Sequence, residues 1–334
     1  MYDTTVVSFP GIGIGEMTIN KVAFTLPILG GLEVRWYGIL LTLGIVAGFF
    51  YALWRAKFEG FTTDDVIDYA IVTVVLAIIG ARTYYVLTTL DEGLYHSFYD
   101  VIAIWEGGIA MYGSIIGGAV GLLVVSRFKK FGKEKIVKIF DMVAPGVMLG
   151  QIIGRWGNFV NGEAHGIETS ENFFLRMGLF EYGKVTYYHP TFLYESLWNL
   201  VGFVLITAFY KKKKFDGQIV LSYLAWYGFG RMFIEGLRTD SLYIGVFRIS
   251  QVVGFLCFVV CTTLLVLMLM RKKREVLDGE AYAPVYEKCR RTTTHAREKQ
   301  QAIREASADI DAIIENAEKR KKEENKENGK ADQR

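Results

Sequence analysis

The sequence predicts an all-α integral membrane protein with seven transmembrane helices, an N-terminus outside the cell and a C-terminus in the cytoplasm. The membrane class follows from composition, because 51% of the 334 residues are hydrophobic and only 22% are charged. Many of those charges lie after residue 270, and the remainder is too apolar for an ordinary soluble domain. The number and orientation of the spans follow from the apolar segments and from the distribution of lysine and arginine between them.

Seven segments have the length and composition of membrane spans. The hydrocarbon core of a bilayer needs about 20 mostly apolar residues per helix. The third segment is rich in glycine, which lets helices approach closely in lipid, and the fourth contains Pro145, which predicts a kink or an irregular start. The predicted spans are 36–55, 66–87, 104–127, 139–161, 191–210, 219–237 and 248–270.

The spans divide the chain into three parts. Residues 1–35 are predicted to form an extracytoplasmic segment that is extended or lies on the membrane surface. Residues 36–270 form the seven-helix domain. Residues 271–334 are highly charged and are predicted to be a cytoplasmic tail, partly helical or disordered.

Basic residues are concentrated in alternate loops. The loop 128–138 holds five lysines, the loop 211–218 holds four, and the tail opens with RKKR. By contrast, the loop 88–103 contains neither lysine nor arginine. Because basic loops stay in the cytoplasm, this alternation places the N-terminus outside and the C-terminus inside the cell.

Charged residues inside membrane spans are costly and usually functional. Arg82, Arg155 and Arg231 lie near the outer ends of the second, fourth and sixth spans. These three guanidinium groups outnumber the nearby carboxylates of Glu195 and Glu235, which favours an anionic ligand. At the outer leaflet the abundant anion is a lipid phosphate, and the planar arginine fork holds two of its oxygens. The alternative is a structural network in which Arg–Glu pairs lock the helices together.

The fourth span ends in a polar, glycine-rich stretch, GRWGNFVNGEAHG, at residues 154–166. This stretch strongly resembles the signature of the bacterial prolipoprotein diacylglyceryl transferase family. The resemblance covers roughly residues 30–270. Five further stretches agree with the family in the same order: RWYGIL before the first span, GARTYYVL closing the second, WEGGIAMYGSIIGG in the third, HPTFLYES opening the fifth and YGFGRMFIEGLR ending the sixth.

The resemblance implies a transfer reaction in the outer half of the bacterial plasma (inner) membrane, as the first step of lipoprotein maturation. A diacylglyceryl group would pass from phosphatidylglycerol to the lipobox cysteine of a prolipoprotein signal peptide, forming a thioether and releasing glycerol phosphate. The arginines would hold the phosphate and stabilise charge on the departing group. Their positive field would also lower the pKa of the cysteine thiol. The expected partners are these two substrates and the lipid bilayer, with no cofactor, metal or nucleic acid.

The resemblance also implies the residues of the site. Arg155, Arg231 and Tyr37 match family positions and are expected to take part in catalysis. Arg82 joins the lipid-binding set because of its depth in the membrane. The residues expected to contact phosphatidylglycerol are Arg82, Arg155, Asn158, Asn161, Glu163, Gly166, Tyr227 and Glu235.

Tyr112 marks a departure from the family. Some members have His-Gly-Gly in the third span, where the histidine has been proposed as the base. This chain has Tyr-Gly-Ser from Tyr112, about eight residues into the predicted span. A tyrosine with a pKa near 10 is a poor base at neutral pH. Tyr112 and His189 are both catalytic candidates, and His165 is a further substitute. The alternatives are that the histidines make structural hydrogen bonds and that the arginine field suffices without a base.

A polytopic transporter or channel for an anionic or lipid substrate is the main alternative function. A transporter would place its charges near the bilayer midplane, at broken helices in internal repeats, whereas these charges lie toward one leaflet. The sequence shows no nucleotide-binding loop and no metal-ligand cluster. Cys257, Cys261 and Cys289 have the spacing of neither a disulfide framework nor a zinc site.

The predicted orientation can be tested by labelling single cysteines in a chain whose native cysteines have been replaced. Cysteines placed in 88–103 are expected to react with a membrane-impermeant thiol reagent in intact cells, because that loop lacks the basic residues that retain a loop inside. Cysteines placed in 128–138 are expected to react only after the cells are opened. Labelling of the lysine-rich loop in intact cells would reverse the topology.

Overall fold

A computed structural model describes residues 3–27, 31–104, 107–181 and 183–277 of the chain. Of the predicted tail 271–334, residues 271–277 continue the last helix and the rest lie outside the described residues. The described part is mostly helical, with strands between the helices. The helices are α1 Trp36–Glu59, α2 Thr63–Thr88, α3 Phe98–Ile102, α4 Met111–Phe128, α5 Lys133–Asn161, α6 Thr191–Phe209, α7 Gln218–Ile234 and α8 Ile249–Leu277.

Six helices of the described chain are long and apolar enough to cross a membrane. They are α1, α2, α4, α5, α8 and the helix α6 with its continuation to Lys212. This confirms the membrane-protein class. The predicted span 219–237 corresponds to α7, which has 17 residues and is followed by a single 3₁₀ turn, Glu235–Leu237. Seven spans and the orientation of the termini stay predictions.

The prediction of an all-α protein is wrong outside the spans. The predicted extended segment at the N-terminus pairs with the region between α5 and α6 in a four-stranded antiparallel sheet, in the order β2-β1-β5-β6. The two middle strands pair antiparallel, with Val7 of β1 opposite Leu179 of β5. Two short hairpins, β3–β4 and β7–β8, complete the strands. The strands are β1 Thr4–Phe9, β2 Ile14–Asn20, β3 Val22–Leu26, β4 Leu32–Arg35, β5 Met177–Glu181, β6 Lys184–Tyr188, β7 Tyr243–Ile244 and β8 Phe247–Arg248.

The sheet covers the adjoining ends of α5 and α6. Val7, Leu179 and Phe192 are buried in one apolar cluster, and Phe159 of α5 packs against it. The strand β1 alternates exposed and buried residues in its first half, as expected of a strand with one covered face. The sequence between α5 and α6 is therefore held in place by apolar packing beside the polar ends of these helices.

The helix α4 begins at Met111, later than the predicted residue 104. Gly107 and Gly108 have φ angles of 97° and 73°, in the left-handed region that a helix does not use. The sequence before Met111 is apolar enough to read as part of a span, but residues 107–110 are not helical. Tyr112 is consequently the second residue of α4 and lies at the end of the helix, not deep within it.

Glycines let the helices pack in close pairs. A Cβ atom on Gly48 of α1 would lie 2.9 Å from the carbonyl oxygen of Gly146 in α5. A Cβ atom on Gly117 of α4 would lie 2.1 Å from the carbonyl oxygen of Leu76 in α2. Both separations are too short for any side chain, so the backbones of α1 and α5, and of α2 and α4, touch directly.

A buried ionic cluster joins α1, α5 and the connection between α6 and α7 at the predicted cytoplasmic end. Lys213 Nζ lies 2.8 Å from Glu59 Oε1 and 3.5 Å from Asp141 Oδ2, and all three side chains are fully buried. Asp141 also accepts the backbone N–H groups of Gly217 and Val220 at 2.8 and 2.9 Å, which caps the first turn of α7. Lys213 belongs to a run of four lysines that resembles a solvated loop, but it is a buried structural residue.

Replacement of Lys213 by alanine is expected to lower the free energy of unfolding by about 3–5 kcal/mol, because it leaves two buried carboxylates without their cation. Lys214, its exposed neighbour, provides the matched control. Lys214→Ala is expected to change stability by less than about 0.5 kcal/mol. The two variants can be compared by thermal unfolding in detergent, and equal midpoints would show that the cluster contributes little.

Candidate active site

Glu195 lies between two arginines from different helices. Arg155 of α5 contacts it through Nη2, at 2.7 Å from Oε1 and 2.6 Å from Oε2. Arg231 of α7 donates from Nη1 to Oε2 at 2.9 Å. The Glu195 side chain is only 4% exposed, so these are short ion pairs in a poorly solvated place. A single carboxylate thus fixes the distance between the two guanidinium groups that the sequence singled out.

A second carboxylate continues the network along α7. Glu235 Oε2 lies 2.7 Å from Arg231 Nη2 and 3.9 Å from Arg238 Nε. Arg238 also forms a two-pronged pair with Asp240, at 2.9 and 2.6 Å. The sequence analysis did not include Arg238 among the site residues, although its spacing from Arg231 and Glu235 places all three on one helix face.

The network contains three arginines and three carboxylates. Arg155, Arg231 and Arg238 are 11–13% exposed, while Glu195 and Glu235 are 4% and 2% exposed. Asp240 is 48% exposed and pairs with Arg238 from the solvent side. The predicted excess of arginine over carboxylate at this level stays a prediction.

Arg82 is engaged elsewhere. Its guanidinium donates four hydrogen bonds to backbone carbonyl groups of the segment between α2 and α4, which leaves little capacity for a lipid phosphate. The structure thus does not support the predicted lipid contact of Arg82 and gives it the role of fixing that segment on α2. The acceptors are Asp100, Val101, Gly107 and Gly108, at 2.5, 2.8, 2.6 and 2.7 Å.

Asn158, Asn161 and Glu163 form a second polar group at the end of α5. Both amide nitrogens donate to Glu163 Oε1, at 3.1 Å from Asn158 and 3.2 Å from Asn161. The Asn158 side-chain oxygen accepts from Arg155 Nη1 at 3.3 Å. Asn158 therefore links the two groups, so that four of the predicted site residues of this stretch make one hydrogen-bonded chain.

Gly166 lies where three segments of backbone meet. Its N–H donates to the His189 carbonyl at 2.8 Å, and the N–H of the next residue, Ile167, donates to the Leu237 carbonyl at 2.6 Å. Gly166 also forms a bridge with Arg238. The stretch 162–167 is thus tied to the start of α6 and to the end of α7, where Glu195 and Arg231 lie.

Two tryptophans hold α6 against α7. The indole Nε1 of Trp198 donates to the Trp226 carbonyl at 3.0 Å, and the indole of Trp226 donates to the Trp198 carbonyl at 2.9 Å. The rings stack with centroids 4.3 Å apart. Because Trp198 follows Glu195 by one turn, this reciprocal pair fixes the level at which Glu195 meets Arg231.

Three predicted tyrosines lie around the arginines. The Tyr37 ring packs on Gly157, where a Cβ atom would approach it to 2.6 Å, and Tyr37 interacts electrostatically with Arg155. Tyr227 precedes Arg231 by one turn of α7 and therefore lies on the same helix face. The Tyr112 hydroxyl lies 2.9 Å from the Ser250 hydroxyl at the start of α8.

The two histidine candidates have partners of their own. His189 Nδ1 lies 3.2 Å from the Tyr194 hydroxyl, and its ring meets the edge of Phe173 at 4.7 Å. Burial lowers the pKa of His189 and so favours its neutral form. His165 Nδ1 lies 3.0 Å from the Gly166 carbonyl and its ring packs on Tyr188. These contacts agree with the structural alternative for both histidines. Across the described residues, no group of three or more His, Cys, Asp or Glu side chains is arranged to hold a metal ion.

Comparison with known proteins bears on the choice between a transferase and a transporter. The sequence profile described as prolipoprotein diacylglyceryl transferase matches residues 21–267. The chain belongs to this family. Proteins named phosphatidylglycerol–prolipoprotein diacylglyceryl transferase are 40% identical to it in three bacteria. They come from Clostridium kluyveri (77% of this chain, 99% of the relative), Listeria innocua (76% and 92%) and Lactobacillus delbrueckii subsp. bulgaricus (81% and 99%).

The membership confirms the resemblance and makes GRWGNFVNGEAHG the stretch in which to test the geometry. Gly166→Ala is expected to lower the unfolding temperature of this diacylglyceryl transferase family member, because the new Cβ would lie 2.7 Å from His189 Cβ and 3.0 Å from its carbonyl oxygen. Gly154→Ala in the same stretch is the control, since its Cβ would meet nothing within 4 Å. Thermal unfolding in detergent measures both variants. Unchanged midpoints for both would mean that the 162–167 stretch is not held as described.

Proposed function

We propose that this protein transfers the diacylglyceryl group of phosphatidylglycerol to the lipobox cysteine thiol of a prolipoprotein. The observation that carries the proposal is the ion-pair network of Arg155, Glu195 and Arg231, which holds two buried guanidinium groups side by side. The family and the names of the relatives supply the reaction class. We place the protein in the bacterial plasma membrane with this network toward the outer leaflet.

The charge of the donor lipid matches the network. A phosphodiester carries one negative charge and accepts hydrogen bonds from guanidinium groups. Arg155 uses Nη2 on Glu195 and Nη1 on Asn158, and Arg231 uses Nη1 on Glu195 and Nη2 on Glu235. The N–H groups that these contacts leave over are the proposed donors for phosphate oxygens. Asn158 and Asn161 offer amide groups beside Arg155 for the glycerol head of the lipid.

The reaction replaces a carbon–oxygen bond by a carbon–sulfur bond. The cysteine sulfur attacks the glycerol carbon that carries the phosphate, the carbon–oxygen bond breaks, and glycerol phosphate leaves with the bonding electron pair. Charge on the phosphate grows as the bond breaks, so guanidinium groups already in place stabilise the transition state more than the bound lipid. Because Glu195 holds both arginines before the lipid arrives, little reorganisation is needed at that moment.

The thiol proton must also leave, and two groups are relevant. An imidazole is able to accept a proton, and burial, which lowers the pKa of His189, keeps it from being protonated beforehand. The Tyr112 hydroxyl is suited to donate a hydrogen bond to an anionic oxygen. We therefore assign Tyr112 to the lipid phosphate and keep His189 as the candidate base.

The decisive experiment incubates the purified protein with phosphatidylglycerol and a lipobox peptide. The peptide is expected to gain the mass of one diacylglyceryl group on its cysteine. A peptide with serine in place of that cysteine is expected to stay unmodified. A folded protein that binds phosphatidylglycerol without modifying the peptide would exclude the transferase and favour a lipid transporter.

Arg155→Lys and Arg231→Lys are expected to lower turnover by ten-fold or more each, as lysine keeps the charge but loses the two-pronged geometry. A loss of about 1.4 kcal/mol of transition-state stabilisation corresponds to this factor. Alanine at either position is expected to be worse. Arg127 is exposed and lies at the end of α4 away from Tyr112. Arg127→Lys is therefore the matched control and should retain normal turnover. Near-normal rates for both lysine variants on folded protein would return the arginines to a structural role.

A further inference from the structure

The first turn of α8 contacts the turn of α7 that carries Arg231. Gln251 Nε2 donates to the Met232 carbonyl at 2.9 Å. Arg248, directly before α8, donates from Nη1 to the Glu235 carbonyl. These two contacts bind the residues on either side of Ser250 to the backbone beside Arg231 and its carboxylate partner Glu235. The position of Ser250 relative to Arg231 is thereby fixed by its neighbours.

Ser250 itself reaches the opposite way, to α4. Its hydroxyl oxygen lies 2.9 Å from the Tyr112 hydroxyl oxygen, and both side chains are partly buried. Tyr112 also packs beside Tyr84 of α2, with ring centroids 6.3 Å apart. The α2–α4 pair and the α7–α8 pair are therefore joined by a hydroxyl–hydroxyl contact at the level of Arg231.

We propose that Ser250 is a positioning residue that holds the Tyr112 hydroxyl beside Arg231, so that Tyr112 donates a hydrogen bond to a lipid phosphate bound there. The proposal rests on the proposed function and adds to it a residue with no role in the sequence analysis. Tyr112 is bonded to Ser250, and the neighbours of Ser250 are bonded to the backbone of Met232 and Glu235, which flank the turn of Arg231. Ser250 does not touch the lipid in this arrangement and acts through Tyr112.

The direction of the hydrogen bond gives this arrangement its chemistry. Each hydroxyl has one proton to donate and oxygen lone pairs to accept. When Ser250 donates to the Tyr112 oxygen, the phenol proton is left for an anionic acceptor, and the donated bond makes the phenol a better donor. A phosphate oxygen is the acceptor that this pair and Arg231 share.

The proposal predicts coupling between Ser250 and Tyr112. Ser250→Ala is expected to raise the KM for phosphatidylglycerol and to lower kcat/KM about ten-fold, the loss of one hydrogen bond to a charged group. Ser250→Thr, which keeps the hydroxyl, is expected to restore most of the activity. Tyr112→Phe removes the donor itself and should cost at least as much. The double variant Tyr112→Phe/Ser250→Ala is expected to match Tyr112→Phe within about two-fold, because Ser250 then has nothing to position.

Ser222→Ala is the matched control, because the Ser222 hydroxyl donates within α7 to the Gln218 carbonyl and lies far along the helix from Arg231. Binding of phosphatidylglycerol in mixed micelles is measured for every variant without peptide. Weaker binding in Ser250→Ala and normal binding in Ser222→Ala support the proposal even when no peptide is modified, which separates it from the proposed function. Additive losses in the double variant, no rescue by threonine, or normal lipid binding and turnover in Ser250→Ala would overturn it.

Discussion

A guanidinium group that is removed from water needs a hydrogen-bond acceptor. The Glu195 carboxylate accepts hydrogen bonds from two guanidinium groups. It joins Arg155 of α5 and Arg231 of α7 from its place on α6, so three helices are fixed at one level. At the other end Lys213, in the connection between α6 and α7, pairs with Glu59 of α1 and Asp141 of α5. Buried charges of this kind add little net stability, but they penalise any arrangement that separates the partners. The two clusters therefore specify the register of α5, α6 and α7 rather than the strength of their packing.

This constraint also shapes what the site can bind. Because each central arginine already has a carboxylate partner, the proposed lipid phosphate would meet guanidinium groups that are held in place beforehand, not a set of free cations. Lysine could neutralise Glu195 equally well, but it would not keep planar N–H edges turned toward a second acceptor. The geometry thus favours an anion whose charge is spread over two oxygens.

The sequence predicted the membrane class and most helix positions because hydropathy acts locally. It also placed Arg155, Glu195 and Arg231 together, since helices that cross the same bilayer bring their corresponding ends to one depth. It failed where partners are distant in the chain or are backbone groups. Arg82 had the right depth, but its acceptors are carbonyls that composition does not reveal. The pairing of β1 with β5 and the burial of Lys213 depend on contacts between segments far apart in sequence.

The glycine-rich polar stretch at the end of α5 follows from the same geometry. The helix ends at Asn161, and Gly162 closes it with a φ angle of 67° that few other residues adopt. The chain must then pass between His189 and Leu237, where Gly166 leaves room for backbone hydrogen bonds to both neighbours. This polar stretch is not an exposed loop. It lies between the ends of α5, α6 and α7, and its backbone hydrogen bonds hold the ends of the helices that carry the arginines.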